Sequence, residues 1–341
     1  MRTLSSLRTA FVALLAASGC SPLSSDIAVV DLRTGARCHP PHTDMRQVVL
    51  SVDRTARTFT TLTRRGLLFA LQTYDHACRK TSEAVTPAFD DGYASTPRLC
   101  ALSRDGRRLA YYKDGSLRLR DIATGKESPL WEGVASSRGE FTLLEWLSGS
   151  ELLVGLQQVD GSARKEDELV VLDAVSGGRR TIHRPAYSFP FLDSDLTQDA
   201  SLLAFEDGAK RHDIYGTIKV LDLRTGAVKA ALGSGSELMS LPRWSPDGAE
   251  LAYVEGSELK LWQAADGTTR TLRTLPEDFT AYRLVFGLGV VGYTGQRSAW
   301  LPQTLVVLDS RDGARLRTVW APFNGGAFPL DGDQAVFEVG F

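Results

Sequence analysis

The sequence predicts an all-β chain whose strands form four-stranded blades around a ring, a β-propeller. Three observations predict it. One short unit recurs along the chain, outer-strand markers of the unit fall 41 to 52 residues apart, and the two ends of the chain carry complementary halves of one unit. Such self-similarity marks a repeat architecture, because a single unit cannot bury its apolar faces alone and must stack on neighbours.

The first element of the unit is a hairpin. Leu102-Ser103-Arg104-Asp105-Gly106-Arg107-Arg108-Leu109-Ala110-Tyr111 aligns without gaps to the runs Trp244 to Tyr253 and Leu196 to Phe205. Asp-Gly between alternating apolar runs is a hairpin signal. The second element is another alternating strand that ends in a polar turn, as in Leu117 to Asp121 before Thr124-Gly125 and Ile218 to Asp222 before Thr225-Gly226. Glycine there permits positive φ and turns the chain into a fourth strand. Weaker copies of this half occur at Leu169 to Gly177, Leu259 to Gly267 and Leu305 to Gly313. Four short antiparallel strands per unit make a propeller blade.

The ends complete the count. Ile27 to Gly35 repeats the outer half of a blade, and Pro329 to Phe337 supplies an inner half. Joined, they make one blade and close the ring by pairing the terminal strands, which leaves no raw edge. The markers Asp31, Asp75, Asp121, Asp173, Asp222, Gln263 and Asp309 give seven blades, with six as the alternative. The alternative rests on the stretch 45–80, where Asp53 is followed by Arg54 rather than Gly and the third strand, Gly66 to Thr73, is marked mainly by apolar content. No Pro-rich or Gly/Ser-rich linker interrupts residues 26–341, so one domain is expected. The Leu-Ser-Arg-Asp-Gly and Trp-Ser-Pro-Asp-Gly turns, each followed by Leu-Ala-Tyr, resemble the propeller repeat of the TolB family and related WD-like repeats. The resemblance implies architecture alone, since turn and core residues are shared by scaffolds, accessory subunits and enzymes.

Residues 1–19 read as a signal peptide: Arg2 and Arg8 precede the apolar stretch Thr9 to Ala17 and small residues. The stretch is well short of the roughly 20 residues that span a bilayer. Ala17-Ser18-Gly19-Cys20 resembles the bacterial lipobox, which implies a lipidated Cys20 on a short tether, residues 20–25, and Ser21 resembles the pattern that sends such proteins to the outer membrane. The other reading is an ordinary cleaved signal. Either way the chain is expected in a bacterial cell envelope, where disulfides persist. Of the remaining cysteines, a Cys38 to Cys78 bridge is the favoured pairing, because both follow outer parts of neighbouring repeats, with Cys100 buried and free. Three unpaired small hydrophobes are the alternative.

The net charge of -2, which becomes -4 without Arg2 and Arg8, offers no basic field for a nucleic-acid partner. No nucleophile elbow, zinc motif or phosphate loop occurs. The histidines, His39, His42, His76, His183 and His212, fall outside the strands expected to line the central channel, and His39-Pro40-Pro41-His42 lacks the third ligand a metal needs. The Ser162 to Lys165 match to Ser-x-x-Lys lies in charged loop, and turn geometry explains the Asp-Gly pairs. No metal, cofactor or catalytic residue is assigned, and the tryptophans Trp131, Trp146, Trp244 and Trp262 recur at repeat positions expected to pack between blades.

Binding is expected on the face with long loops, Gly155 to Glu168, Glu206 to Thr217, Tyr293 to Thr304 and Thr81 to Pro97. The partner-binding candidates there are Tyr93, Tyr187, Phe189, Tyr215, Tyr293 and Trp300 beside Arg164, Arg211 and Arg297, the composition of an interface hot spot. The expected function is a lipid-anchored, monomeric scaffold or accessory subunit that holds an envelope protein. A channel receptor for a small molecule, sugar or peptide is the alternative, and a propeller hydrolase ranks last.

Overall fold

The computed structural model describes residues 25–41, 47–53, 56–65, 68–87, 100–113, 115–132, 140–157, 159–160, 163–164, 168–185, 194–210, 213–233, 239–276, 280–296, 304–320, 327–331 and 333–340. They form seven four-stranded antiparallel sheets, each a blade.

From the innermost strand outward, blade 1 is Gln47–Asp53, Thr58–Arg65, Leu68–Asp75 and Lys80–Pro87, and blade 2 is Cys100–Leu102, Arg108–Lys113, Ser116–Asp121 and Glu127–Trp131. Blade 3 is Glu140–Trp146, Glu151–Gln157, Glu168–Asp173 and Arg179–His183, and blade 4 is Ser194–Leu196, Leu202–Lys210, Asp213–Asp222 and Val228–Leu232. Blade 5 is Met239–Trp244, Glu250–Glu255, Glu258–Gln263 and Thr269–Thr274, and blade 6 is Thr280–Gly287, Val290–Gln296, Thr304–Asp309 and Arg315–Trp320.

Blade 7 joins the chain ends. Its inner strands, Ala327–Asp331 and Gln334–Gly340, come from one end, and its outer strands, Ser25–Asp31 and Arg37–Cys38, come from the other. The junction runs from Ser25 opposite Gly340 to Asp31 opposite Gln334 without a register break. The doubtful stretch after residue 45 is a regular blade, so the count is seven rather than six. Innermost strands touch from blade 1 to 2, 2 to 3, 4 to 5, 5 to 6, 6 to 7 and 7 to 1, and a shared apolar seam joins blade 3 to blade 4, which closes the ring.

The apolar core is seven seams, one between each neighbouring pair of blades. Successive side chains of a strand point to opposite faces, so each inner blade strand serves two seams. In Ser25–Asp31, Ile27 and Val29 pack against blade 1 while Ala28 and Val30 pack against blade 6. This is why runs such as Leu169 to Leu172 and Leu305 to Leu308 are apolar throughout instead of alternating with polar residues. The tryptophans sit in these seams: Trp244 meets Trp262 edge-on with ring centroids 6.1 Å apart, and Trp146 donates from Nε1 to the Ala101 carbonyl of blade 2 at 3.0 Å. A disulfide joins Cys38 of blade 7 to Cys78 of blade 1, with Cα atoms 5.9 Å apart, and Cys100 is buried and free.

The described parts of three expected loops are strand. Blade 4 keeps pairing from Glu206 opposite Ile218 out to Lys210 opposite Asp213, because the ladder satisfies the backbone even where charged residues break the apolar alternation. Thr81 to Pro87 belongs to the outermost strand of blade 1, and within Gly155 to Glu168 a short ladder pairs Val159 with Arg164.

Candidate functional site

The site follows from the register of the innermost strands. In every blade, the residue opposite the third position of the second strand, counted from the outer-strand marker's partner, occupies one equivalent place near the ring axis. Ladder pairing puts Ser51, Ala101, Glu145, Asp195, Arg243, Val285 and Phe328 there in blades 1 to 7. Charge is confined to three consecutive blades, 3, 4 and 5. Val285 and Ala101 at the same place are buried apolar residues.

The arc lies towards the face of the tight first-to-second turns. Arg104, in that turn of blade 2, donates from Nη2 to the Gln198 carbonyl in the corresponding turn of blade 4 at 3.0 Å, and its charge acts on Glu145 of the blade between them. Asp195 Oδ2 accepts the Trp244 backbone N–H at 2.7 Å, which satisfies an edge donor of the blade 5 innermost strand. Arg243 Nη1 donates to the Pro242 carbonyl at 2.6 Å and reaches the Ser194 carbonyl at 3.5 Å. Leu241, two residues before Arg243, has φ of 61° at a register shift between Ser240 and Arg243, so the strand is bent where it presents that side chain.

Glu145 differs from its neighbours. Its side chain is open to solvent, and among the described residues nothing donates a hydrogen bond to its carboxylate. Loss of solvation first, and the Asp195 carboxylate second, push its carboxyl up to about 7 against the pull of Arg104. The arrangement can accept a cation or a hydrogen-bond donor, or exchange a proton near neutrality.

Of the expected long-loop cluster, Tyr293 alone has a described side chain. Tyr293 is 5% exposed and packs in the seam between blades 5 and 6, because the Val290–Gln296 strand runs on past it. Arg164 and Tyr215 lie in strands, and Cys20, Tyr93, Tyr187, Phe189, Trp300, Arg211 and Arg297 lie outside the described residues. His39 Nδ1 lies 3.2 Å from the Ile27 carbonyl, and His42 is outside the described residues. Among the described residues no three His, Cys, Asp or Glu side chains are grouped to hold a metal, and no helix is long and apolar enough to cross a membrane. The axial arc was missed because its signal is positional: each charge stands one residue before Trp146, Leu196 or Trp244, where the repeat alignment shows no shared residue type.

Comparison with known proteins places the architecture. The family model described as the dipeptidyl peptidase IV (DPP IV) N-terminal region matches residues 198–280, a stretch within blades 4 to 6. No curated protein matches the chain. An oligogalacturonate lyase solved in complex with manganese is similar, with 15% identity, TM-score 0.61 and coverage of 94% of this chain and 97% of that one. The β-propeller domain of Cps50 (Swd1) from Myceliophteria thermophila is 12% identical, with TM-score 0.53 over 88% of this chain and 98% of that one. The putative TolB of Agrobacterium tumefaciens is 14% identical, with TM-score 0.49 over 93% and 98%. At these identities the likeness to the lyase and to the Cps50 domain is one of fold alone.

Proposed function

We propose that this chain is a binding propeller of the bacterial cell envelope, held by a lipid on Cys20, and that its partner presents a cationic group to the axial arc on the tight-turn face. The observation that carries the reading is the restriction of charge to Glu145, Asp195 and Arg243 at a position that is small or apolar in the other blades. A seven-fold scaffold needs no such asymmetry, and Glu145 carries a carboxylate that no described residue satisfies. A cation there would recover the electrostatic energy that desolvation removes. Envelope placement and lipid attachment are supported by the signal-like start and the small residues before Cys20.

The test is crosslinking in cells, detergent extraction and identification of what co-purifies, for the wild type, Glu145→Gln and Cys20→Ser. We expect Cys20→Ser to leave the membrane fraction and Glu145→Gln to lose a near-stoichiometric envelope partner. Equal recovery of that partner by Glu145→Gln would sink the axial reading, and unchanged membrane retention of Cys20→Ser would sink the anchor.

Glu145 alone favours a second reading, proton transfer to a substrate held at the axis, since a carboxyl near neutrality suits general acid–base work. The fold likeness makes oligogalacturonate with manganese a rational first substrate to assay. Turnover that Glu145→Gln abolishes would favour this reading over binding alone.

A further inference from the structure

The seam between blades 3 and 4 holds a buried polar cluster that the axial site does not use. His183 ends the outermost strand of blade 3, and its ring meets the fully buried Phe205 of blade 4 edge-on at 5.5 Å. Lys219 stands opposite Phe205 in the ladder, and its ammonium pairs with Asp207 Oδ2. The Asp207 side chain is only 4% exposed. Asp207 Oδ1 and His183 Nε2 are both buried without a hydrogen-bond partner. Two orphaned polar atoms beside one buried ion pair are costly, and the cost depends on the charge of the imidazole.

We propose that this seam is a proton-sensitive latch, in which protonation of His183 sets a second cation against the Lys219–Asp207 pair and loosens the joint between blades 3 and 4. Among the described residues, the charges that face His183 from blade 4 are Lys219 and Asp207. Glu206 alternates to the other face of its strand. On the blade 3 side, Arg184 is held by Glu168 at 2.9 Å and Arg180 reaches the Leu223 carbonyl at 3.3 Å. Burial first, and Lys219 second, hold the His183 imidazole below its ordinary range in spite of Asp207. The neutral ring is therefore the form the folded seam accommodates. A base whose folded value is depressed gives stability that is complete above the unfolded value, roughly 6.5, and declines as pH falls from there toward the folded value.

The latch bears on the axial site through blade 4 itself. The strand Leu202–Lys210, which carries Phe205 and Asp207, pairs directly with the innermost strand Ser194–Leu196, with Ser194 opposite Phe205 and Asp195 opposite Ala204. Acidification is thus expected to weaken the Asp195 to Trp244 hydrogen bond. This consequence rests on the axial reading, but the latch is measured without any ligand, so the two can fail separately.

The experiment follows the mature chain from pH 7.5 to 5, above the range in which its turn aspartates titrate. The His183 ring is titrated by NMR, and protection of the Trp244 amide and the melting temperature are compared for wild type, His183→Gln and Lys219→Met. We expect a His183 midpoint below 6.5, a several-fold fall in Trp244 protection that His183→Gln abolishes, and a higher His183 midpoint in Lys219→Met. A wild-type midpoint at or above 6.5, or an equal pH response in wild type and His183→Gln, overturns the latch. Should His183→Gln fail to fold, the wild-type and Lys219→Met titrations decide it.

Discussion

At the scale of single residues, two glycines with the same backbone conformation separate strain from contact. Gly226 and Gly267 end the third-to-fourth turns of blades 4 and 5, with φ of +74° and +73°. A Cβ on Gly226 would stand 2.6 Å from the Ile182 carbonyl oxygen of blade 3, whereas one on Gly267 would meet nothing within 4 Å. Gly267→Ala should therefore cost roughly 1 kcal/mol for its left-handed backbone. Gly226→Ala should cost about 1–3 kcal/mol more, because an outermost strand must move aside. Urea unfolding of the two variants checks the difference, and equal losses would show that the blades yield freely at this joint. Glu145→Gln has a signature of the opposite kind. A carboxyl raised to about 7 in the fold destabilises progressively as pH rises from its ordinary value through 7, so the Gln variant should melt higher than wild type at pH 8 and lose that advantage at pH 5.

At the scale of elements, the first-to-second turn is built identically in blades 2, 4 and 5. The hydroxyls of Ser103, Thr197 and Ser245 donate to Asp105, Asp199 and Asp247 at 2.5, 2.6 and 2.6 Å. Each hydroxyl also accepts the backbone N–H that opens the second strand, from Arg108, Leu202 and Glu250 at 2.9, 3.0 and 2.9 Å. That hydroxyl hydrogen bond is the main reason all three carboxyls are held below the usual carboxylate range. Ser245→Ala should cost about 1–2 kcal/mol at pH 7, since it removes both bonds in a buried position. A depressed carboxyl gives stability that is present above its unfolded value and lost as pH falls through the folded one. The deficit of Ser245→Ala should therefore shrink below about pH 4, and chemical denaturation at pH 7 and 3 measures it. Arginines then tie element to element: Arg108 to the Gly149 carbonyl, Arg270 to the Ser310 carbonyl, and Arg33 to the Leu288 carbonyl at 2.6 Å.

At the scale of the molecule, stability is shared among seven seams, and the weakest covalent point is where the chain ends meet. Blade 7 has an outermost strand of only two residues, Arg37–Cys38, because Pro40 and Pro41 cannot continue the ladder. The Cys38 to Cys78 disulfide compensates by fastening that strand to blade 1 across a sequence separation of 40. Replacing both cysteines with alanine should lower stability by about 2–4 kcal/mol. Hydrogen exchange should show the loss first in Ser25–Asp31 and Gln334–Gly340, the two strands whose pairing closes the ring. Uniform loss across all blades would mean that the ring opens only as one cooperative unit.

The sequence by itself determined the blade and the closure and favoured seven blades over six, because these are carried by short-range signals. Asp-Gly and Thr-Gly turns, strands apolar on both faces and matching terminal half-blades each act within a few residues of one another, and the repeat prints them several times. The stretch after residue 45 was legible only as a spacing, which left six blades open, and its three ladders decided for seven. The extent of the strands was less legible: Tyr293 reads as loop because the polar residues after it hide a ladder whose partners are nine or more residues away. The site was not legible at all. Glu145, Asp195 and Arg243 are about 50 residues apart in the chain and belong to no motif, and only the common register of three blades sets them side by side. The same holds for His183, Asp207 and Lys219, whose charges meet because one blade's outermost strand packs on the next blade's middle. Turn chemistry is local and is written in the letters, whereas electrostatic neighbourhood depends on how closed sheets face each other, which the tertiary structure decided.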